Sequence, residues 1–258
     1  MNNNELDNSE SIQGGKDKLF DTPEKPGPFC FNQEVAAVFP DMIKRSVPGY
    51  GFTLDLIKDV ARLLVRENSN IYDLGCSLGA ITLALKSGVL ASEIDVGSVT
   101  IHAIDSSEAM ISRAEEHIAA FQASVPIVLH CGDITTHEYR NASLIVLAYT
   151  MQFIEPEKRL ELLKKIHAGL NPGGGLILVE KIHDEDDTLQ AISTELHHEF
   201  KRRNGYSELE IAQKRQALEN VLRTETEEAH KQRFSEAGFS KIIMLGKHYA
   251  FASWLALK

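Results

Sequence analysis

The run Tyr72–Gly79 joins an acidic residue to a turn that is rich in glycine. An apolar stretch ends at Asp73, Gly75 and Gly79 follow, and a helical pattern begins at Ala80. The pattern predicts a buried strand, a tight turn, and a helix whose first N–H groups face that turn. Glycine lets a ligand approach the backbone closely, and the Asp73 carboxylate can accept hydrogen bonds from a cationic or hydroxyl-bearing ligand.

Two kinds of nucleotide site compete for this turn. A dinucleotide site needs G-x-G-x-x-G after the strand, to hold a pyrophosphate. The chain instead has D-x-G-x-x-x-G, which resembles motif I of class I S-adenosylmethionine (SAM)-dependent enzymes. SAM carries no phosphate, so an acidic residue is tolerable beside it. An ordinary glycine turn after a strand is an equally good interpretation of the motif alone.

Two further acidic residues follow the next predicted strands. Asp105, which precedes Ser106, can accept hydrogen bonds from both hydroxyls of a ribose, or it can simply cap the next helix. Asp133 and Ile134 follow the third strand and by themselves fit a routine turn. Resemblance to the SAM fold implies that Asp133 faces the adenine amino group and that Ile134 packs on the base.

Strand and helix patterns alternate along the part of the chain that carries these residues. After the strand that ends at Asp73, strands are predicted at Val99–Ile104, Ile127–Leu129, Ala142–Tyr149 and Leu176–Val179. This alternation predicts an α/β fold with a doubly wound, mainly parallel sheet. Two last strands within 242–257 predict an antiparallel hairpin, which completes a seven-stranded sheet of the class I SAM-dependent methyltransferase, or Rossmann-like, type.

Helical segments are predicted before and after the strand–helix repeats. Asn32 caps a first helix that Pro40 interrupts, and together with the next helix this forms a cover over the strand ends. A helical insert at 184–222 precedes the C-terminal hairpin. Residues 1–17 are polar and predicted to be disordered, whereas 18–258 form a single SAM-binding domain.

The insert carries one cation in an unusual place. Ser207 and Glu210 predict a capping box that opens a helix to Leu222. On that helix Arg215 falls at the edge of the apolar arc, where a guanidinium either finds a carboxylate or extends to water. Elsewhere in the insert, adjacent histidines at 197 and 198 point too far apart to share a metal ion, so no metal is expected. The basic run that starts at Lys201 is interpreted as a solvated helix end.

Composition limits the classes of function. The chain has 258 residues, 43% of them hydrophobic, and a formal net charge of −10, which disfavours direct binding to a nucleic acid. No apolar run is long enough to cross a membrane, and the N-terminus lacks the pattern of a signal peptide. The three widely separated cysteines suggest free thiols, so a cytoplasmic location is expected.

Several runs of this sequence resemble the carboxy-S-adenosyl-L-methionine synthase family. The likeness extends from about Leu19 to the C-terminus. The runs in the insert are the more specific ones, because ordinary methyltransferases do not carry them. The matching runs are Phe39–Ile43, Arg45–Tyr50, Tyr72–Gly79, Phe200–Arg202, Asn204–Glu210 and Gln213–Arg215.

This resemblance implies an unusual transfer reaction. Members of the family move the carboxyl group of prephenate to the sulfonium methyl of SAM, which yields carboxy-SAM and phenylpyruvate. A partner tRNA carboxymethyltransferase then modifies a wobble uridine, so the RNA contact falls to that partner. The hydroxide that leaves prephenate can take the methyl proton, so no protein base is assigned. A homodimer is expected.

The family's cofactor contacts carry over to this chain position by position. Arg215 would bind the added carboxylate, reaching from the partner subunit. The chain departs from the family at Ala148 and Ser106, where asparagine is usual. A conventional SAM-dependent methyltransferase acting on a small molecule or tRNA, and a non-catalytic SAM-binding module, stay open as alternatives. The predicted contacts are Tyr50, Gly75, Cys76, Ser77, Asp105, Ser106, Asp133, Ile134 and Arg215.

Overall fold

Seven strands form one sheet in the computed structural model, which describes residues 15–22, 27–119, 121 and 124–258. The strand order is β3-β2-β1-β4-β5-β7-β6. The first five strands are parallel and β7 is antiparallel to its neighbours. This arrangement confirms the predicted sheet with its final hairpin. The strands are β1 (Asn70–Leu74), β2 (Thr100–Asp105), β3 (Ile127–Cys131), β4 (Ala142–Ala148), β5 (Leu170–Lys181), β6 (Lys241–His248) and β7 (Phe251–Leu257).

Helices cover both faces of the sheet. Because successive residues of a strand point to opposite faces, β4 contributes to two apolar cores. Leu144 and Val146 pack with α2 and α3, while Ile145 and Leu147 pack with α5 and α8. The helices are α1 (Gln33–Ser46), α2 (Tyr50–Leu64), α3 (Ala80–Leu90), α4 (Glu108–Ala119), α5 (Pro156–Gly169), α6 (Asp187–Arg203), α7 (Glu208–Leu218) and α8 (Glu227–Ala237).

Helix α1 runs without a break through Pro40, so the predicted interruption is wrong. Proline lacks an N–H group, which leaves the carbonyl of Ala36 without its usual helical donor. The guanidinium of Arg113, on α4, donates a hydrogen bond to that carbonyl oxygen at 3.3 Å. A long-range donor therefore replaces the missing helical bond, and α1 continues to Ser46.

Asp17 is anchored in the fold, which corrects one end of the predicted disordered tail. Its side chain is buried, with 1% of the residue exposed. The hydroxyl of Tyr206 donates to its carboxylate, and the ammonium of Lys214 lies 3.5 Å from the same oxygen. The rest of that prediction, residues 1–14, lies outside the described part of the chain.

The predicted helical insert is present as α6 and α7. The capping box is confirmed, because the Ser207 side chain accepts from the N–H of Glu210 and the Glu210 carboxylate accepts from the N–H of Ser207. Helix α7 ends at Leu218 rather than at Leu222. None of the helices in the described residues is long and apolar enough to span a membrane.

Helix α8 was not predicted, although the sequence holds signals for it. The Thr226 side chain accepts a hydrogen bond from the N–H of Ala229 and so caps the first turn. Gly238 ends the helix in the left-handed region, at a φ of 102°. Phe234 fills the core between α5 and the sheet. The helix is otherwise polar, which hid its periodicity.

Candidate active site

A cleft of about 1930 Å³ opens where the parallel strands end. Pockets for one small ligand usually measure about 300–1,000 Å³, so this cleft has room for two substrates. Eight of the nine predicted contact residues line it, and Arg215 does not. The eight are Tyr50, Gly75, Cys76, Ser77, Asp105, Ser106, Asp133 and Ile134. Their role as ligand contacts stays a prediction.

The glycine turn after β1 is closed by its own hydrogen bonds. The N–H groups of Gly75 and Cys76 both donate to the carbonyl of Ile104, and the N–H of Ser77 donates to the Asp105 carboxylate. Few donors therefore remain for a pyrophosphate, and a carboxylate faces the place where phosphate would lie. This geometry disfavours a dinucleotide and fits a nucleoside without phosphate.

Gly75 is required by its surroundings as well as by its backbone. Its φ is +78°, and a Cβ added there would lie 2.2 Å from the Thr150 hydroxyl oxygen. Thr150 follows β4 and packs directly on the turn. Its hydroxyl donates to the carbonyl of Ala148, where relatives of this chain are expected to carry asparagine. The Thr150 hydroxyl thus places a polar group close to Ala148, although the expected asparagine is absent there.

Asp105 is the last residue of β2, and its carboxylate connects the glycine turn to the segment that follows β2. One oxygen accepts from the N–H of Ser77 and the other from the N–H of Ser107, each at 2.9 Å. Burial raises the pKa of this carboxyl, and the backbone N–H donors oppose that effect. Each oxygen keeps a lone pair that can accept from a ligand hydroxyl. The arrangement suits a ribose diol.

Asp73 lies beneath the turn and is fully buried. The Thr82 hydroxyl donates to one carboxylate oxygen at 2.6 Å, and the other oxygen has no hydrogen-bond partner among the described residues. Burial raises the pKa of this carboxyl to about 7, and nearby Asp105 adds to the effect. A cation bound above the turn would favour the ionised form.

We expect SAM binding to release a proton through Asp73. Because SAM is cationic, it should lower the pKa of Asp73, so SAM affinity should rise with pH up to about pH 7 and level off above. Calorimetry in buffers of different ionisation enthalpy measures the released proton. Asp73→Asn should remove both the proton release and the pH dependence. An unchanged pH slope in that variant would contradict this role.

Asp133 and Ile134 form the far end of the cleft. Asp133 accepts from the N–H of Thr135 at 2.8 Å through one oxygen. The carbonyl of Ile134 accepts from the hydroxyl of Tyr139 at 2.5 Å, which fixes the loop after β3. Phe153 also lines the cleft. An apolar surface beside a fixed carboxylate suits a flat base with an amino group.

Two groups in the cleft stay protonated. Burial raises the pKa of the Cys76 thiol and of the Tyr50 hydroxyl far above their ordinary values. Neither is therefore a thiolate nucleophile or a phenolate base at neutral pH. Tyr50 opens α2 beside Tyr149, whose hydroxyl lies 2.8 Å from that of Thr53. These residues shape the cleft and exclude water from it.

Lysines line the end of the cleft formed by β5, α6 and α7. Lys181, Lys201 and Lys214 all face it, and the prediction that Lys201 is solvated is wrong, since 8% of it is exposed. Helical spacing was an available signal, because His197 lies one turn earlier and is also buried. The ring of His197 lies 2.8 Å from the carbonyl of Ser46. Nowhere in the described residues do three metal-ligating side chains form a metal site.

Arg215 lies on the exposed side of α7 in the single chain. It does not reach the cleft of its own chain. It is close enough to Lys181 to lower the pKa of that ammonium. The position is therefore adjacent to the site and open to contact with a second molecule.

Relatives with the same overall length match nearly all of this chain. A protein of Pasteurella multocida is 47% identical over 94% of this chain and 99% of its own. A protein of Idiomarina loihiensis is 47% identical over 89% of this chain and 93% of its own. A protein of Pseudoalteromonas atlantica is 45% identical over 96% of this chain and 100% of its own. All three are named carboxy-S-adenosyl-L-methionine synthase.

More distant structures share the fold. Residues 71–174 match the family model described as a methyltransferase domain. An O-methyltransferase family protein from Burkholderia thailandensis superposes with a TM-score of 0.64 at 13% identity, over 92% of this chain and 65% of that one. Human N-acetylserotonin methyltransferase in complex with SAM superposes with a TM-score of 0.55 at 19% identity, over 84% of this chain and 54% of that one. At these identities the likeness shows the class I SAM-dependent fold.

Proposed function

This chain belongs to the carboxy-S-adenosyl-L-methionine synthase family, and we propose that it transfers the carboxyl group of prephenate to the methyl carbon of SAM. The products are carboxy-SAM and phenylpyruvate. The observation that carries this proposal is one cleft lined both by the eight predicted nucleoside contacts and by lysines suited to an anion. A methyltransferase whose acceptor carries no negative charge has no need of the second feature.

The transfer balances without a base from the protein. Prephenate loses its ring carboxylate as carbon dioxide and its ring hydroxyl as hydroxide, and the ring becomes aromatic. Hydroxide takes a proton from the methyl group of the sulfonium substrate and becomes water. The electron pair left on that carbon forms the new bond to carbon dioxide. The protein's part is to hold both substrates in contact and to exclude bulk water.

Each part of the cleft has a task in this reaction. Asp105 would bind the ribose hydroxyls, and Asp133 with Ile134 would hold the adenine. The buried thiol of Cys76 and hydroxyl of Tyr50 do not compete for the proton, because both stay protonated. Arg215 would pair with the new carboxylate in a bidentate manner.

We assign Arg215 to the cleft of a partner subunit in a homodimer. Its exposure on α7 and its absence from its own cleft support this. Helix α6 presents Leu189, Ile192 and Leu196 to solvent with 45 to 55% of each residue exposed. These positions share one helix face, and an apolar stripe of this kind is typical of an interface. A second copy of the chain would cover it.

The product of the reaction would serve a tRNA carboxymethyltransferase that modifies a wobble uridine. With a net charge of −10, this chain is poorly suited to bind RNA itself, so the RNA contact belongs to the other enzyme. The three cysteines at 30, 76 and 131 are free thiols. Free thiols, two of them exposed, fit a cytoplasmic setting.

Product mass after incubation tests the reaction directly. With SAM and prephenate we expect a nucleoside one carboxyl group heavier than SAM, together with phenylpyruvate, and neither product when prephenate is left out. A methylated acceptor formed without prephenate would support a conventional methyltransferase, which the domain match at 71–174 favours as the second candidate. Tight SAM retention with no product under either condition would identify a binding module.

A further inference from the structure

Two of the lysines that line the cleft have no partner for their ammonium groups among the residues that the structure describes. Lys201, on α6, is buried with 8% exposed, and Lys181 ends β5. Neither ammonium takes part in a hydrogen bond or an ion pair with any residue that the structure describes. A buried cation without a partner is unfavourable, because the desolvation of its charge is not compensated. Both ammonium groups are therefore available to an anionic ligand.

Cations surround these two lysines. Burial, and then the charges of Lys214 and Lys181, lower the pKa of Lys201 to about 7. Burial and the charge of Arg215 lower the pKa of Lys181. Lys214 differs, since the Asp17 carboxylate lies 3.5 Å away and its ammonium donates to the Ser46 hydroxyl at 2.8 Å. The protein neutralises Lys214 itself and leaves the other two lysines for a ligand.

The strand order separates this cationic end from the nucleoside end. Asp105 ends β2 and Asp133 follows β3, and both strands lie on one side of β1. Lys181 ends β5, which lies beyond β4 on the other side. Ligands of the two ends would meet over β1 and β4, where the glycine turn and Thr150 lie. The methyl group to be carboxylated must also be there, if the nucleoside occupies the first end.

We propose that Lys181 and Lys201 bind the carboxylate of the pyruvyl side chain of prephenate. This inference rests on the proposed function and assigns the second substrate's position in the same cleft. Prephenate has two carboxylates, and only the one on the ring leaves as carbon dioxide. A cation paired with the leaving carboxylate would stabilise the ground state and slow its loss. The pyruvyl carboxylate persists into phenylpyruvate, so a fixed cation can hold it through the whole reaction.

Steady-state kinetics of methionine variants test the assignment. We expect Lys201→Met and Lys181→Met each to raise the KM for prephenate about 10- to 100-fold, because one charged hydrogen bond is lost. The dissociation constant of SAM should stay within about twofold. Phenylpyruvate should lose affinity by a similar factor, since it keeps the same carboxylate. Lys201→Arg, which preserves the charge, should retain most of the prephenate affinity.

Thermal unfolding and a control variant separate this role from a structural one. Because the substitution removes an unpaired buried charge, the Tm of Lys201→Met should equal or exceed that of the wild type. Lys164→Met, which changes an exposed lysine paired with Glu161 on α5, serves as the matched control and should alter neither KM nor Tm.

The outcomes also distinguish this inference from the proposed function. If the wild type makes no carboxy-SAM from prephenate, the proposed function fails and this inference with it. If the wild type makes carboxy-SAM while both methionine variants keep the wild-type KM for prephenate, only this inference is overturned. A loss of kcat at unchanged KM would also overturn it, because it would place the lysines in the chemical step rather than in binding.

Discussion

Asp105→Ala is expected to weaken SAM binding by about 10²- to 10⁴-fold. Each hydrogen bond from a ribose hydroxyl to a carboxylate contributes about 1.5–3 kcal/mol, and the variant loses both. Asp105 is also fixed by the N–H groups of Ser77 and Ser107, so the wild-type carboxylate needs little reorganisation to bind a diol. Isothermal titration of the purified protein with SAM measures the effect.

Because Asp105 also closes the glycine turn, a control must separate binding from folding. Thermal unfolding without ligand shows how much of the loss is structural, and Asp105→Asn keeps the shape while removing the charge. Asp95→Ala is the matched control, since Asp95 caps an exposed turn before β2 by accepting from the N–H of Gly97. SAM affinity within threefold of the wild type for Asp105→Ala would rule out the ribose role.

Arg215→Ala is expected to abolish retention of carboxy-SAM while SAM binding stays largely intact. A bidentate pair between a guanidinium and a carboxylate is stronger than an ordinary hydrogen bond. SAM lacks the carboxylate that the reaction adds to its methyl group, so it cannot form this pair. We expect about a 100-fold loss of affinity for carboxy-SAM. Arg215→Lys should fall between, because an ammonium keeps the charge but not the paired geometry. Competition titration with both nucleosides measures the difference.

The position of Arg215 makes a subunit-mixing experiment informative. If Arg215 acts in the partner's cleft, an Arg215→Ala subunit and an Asp105→Ala subunit together rebuild one intact site per mixed dimer. An equal mixture should then regain about a quarter of the wild-type retention of carboxy-SAM, although each variant alone retains little. No recovery in proven mixed dimers would place Arg215 in its own subunit's site. Arg66→Ala, a change at an exposed arginine before β1, is the control.

The order and type of the central elements were predictable because apolar runs at the positions of β1 to β5 alternate with helical patterns. Asp73, Asp105 and Asp133 lie at or close to the carboxyl ends of β1, β2 and β3, and parallel strands bring such ends to one edge of the sheet. The eight predicted contact residues therefore line one cleft. Seven of them could be placed from the sequence because each lies at or just after the end of a strand, whereas Tyr50 opens α2 and reaches the cleft through the packing of that helix.

Features that depend on contacts between distant segments were not predictable. Pro40 signals a break in an isolated helix, whereas in the fold a donor from Arg113, on α4, reaches the carbonyl that Pro40 leaves without its helical partner. Lys201 belongs to a basic run, and although its helical spacing from His197 was a local signal, the packing of α6 against distant segments decides that this lysine faces the cleft. The carboxylate that we propose for Arg215 belongs to a ligand in another subunit's cleft, outside the single chain. In each case the group that makes the contact belongs to an element far along the sequence or, by our proposal, to another molecule.

Burial of Asp17 has a practical consequence for handling the protein. Trimming the polar N-terminus at a conventional domain boundary would delete the carboxylate that lies 3.5 Å from the Lys214 ammonium and the Asp17 carbonyl that accepts from Arg45 at 3.1 Å. An affinity tag fused immediately upstream would crowd the same spot. Either change would loosen α7 from α1 and could be mistaken for an active-site defect, so recombinant versions should keep native sequence well ahead of residue 15.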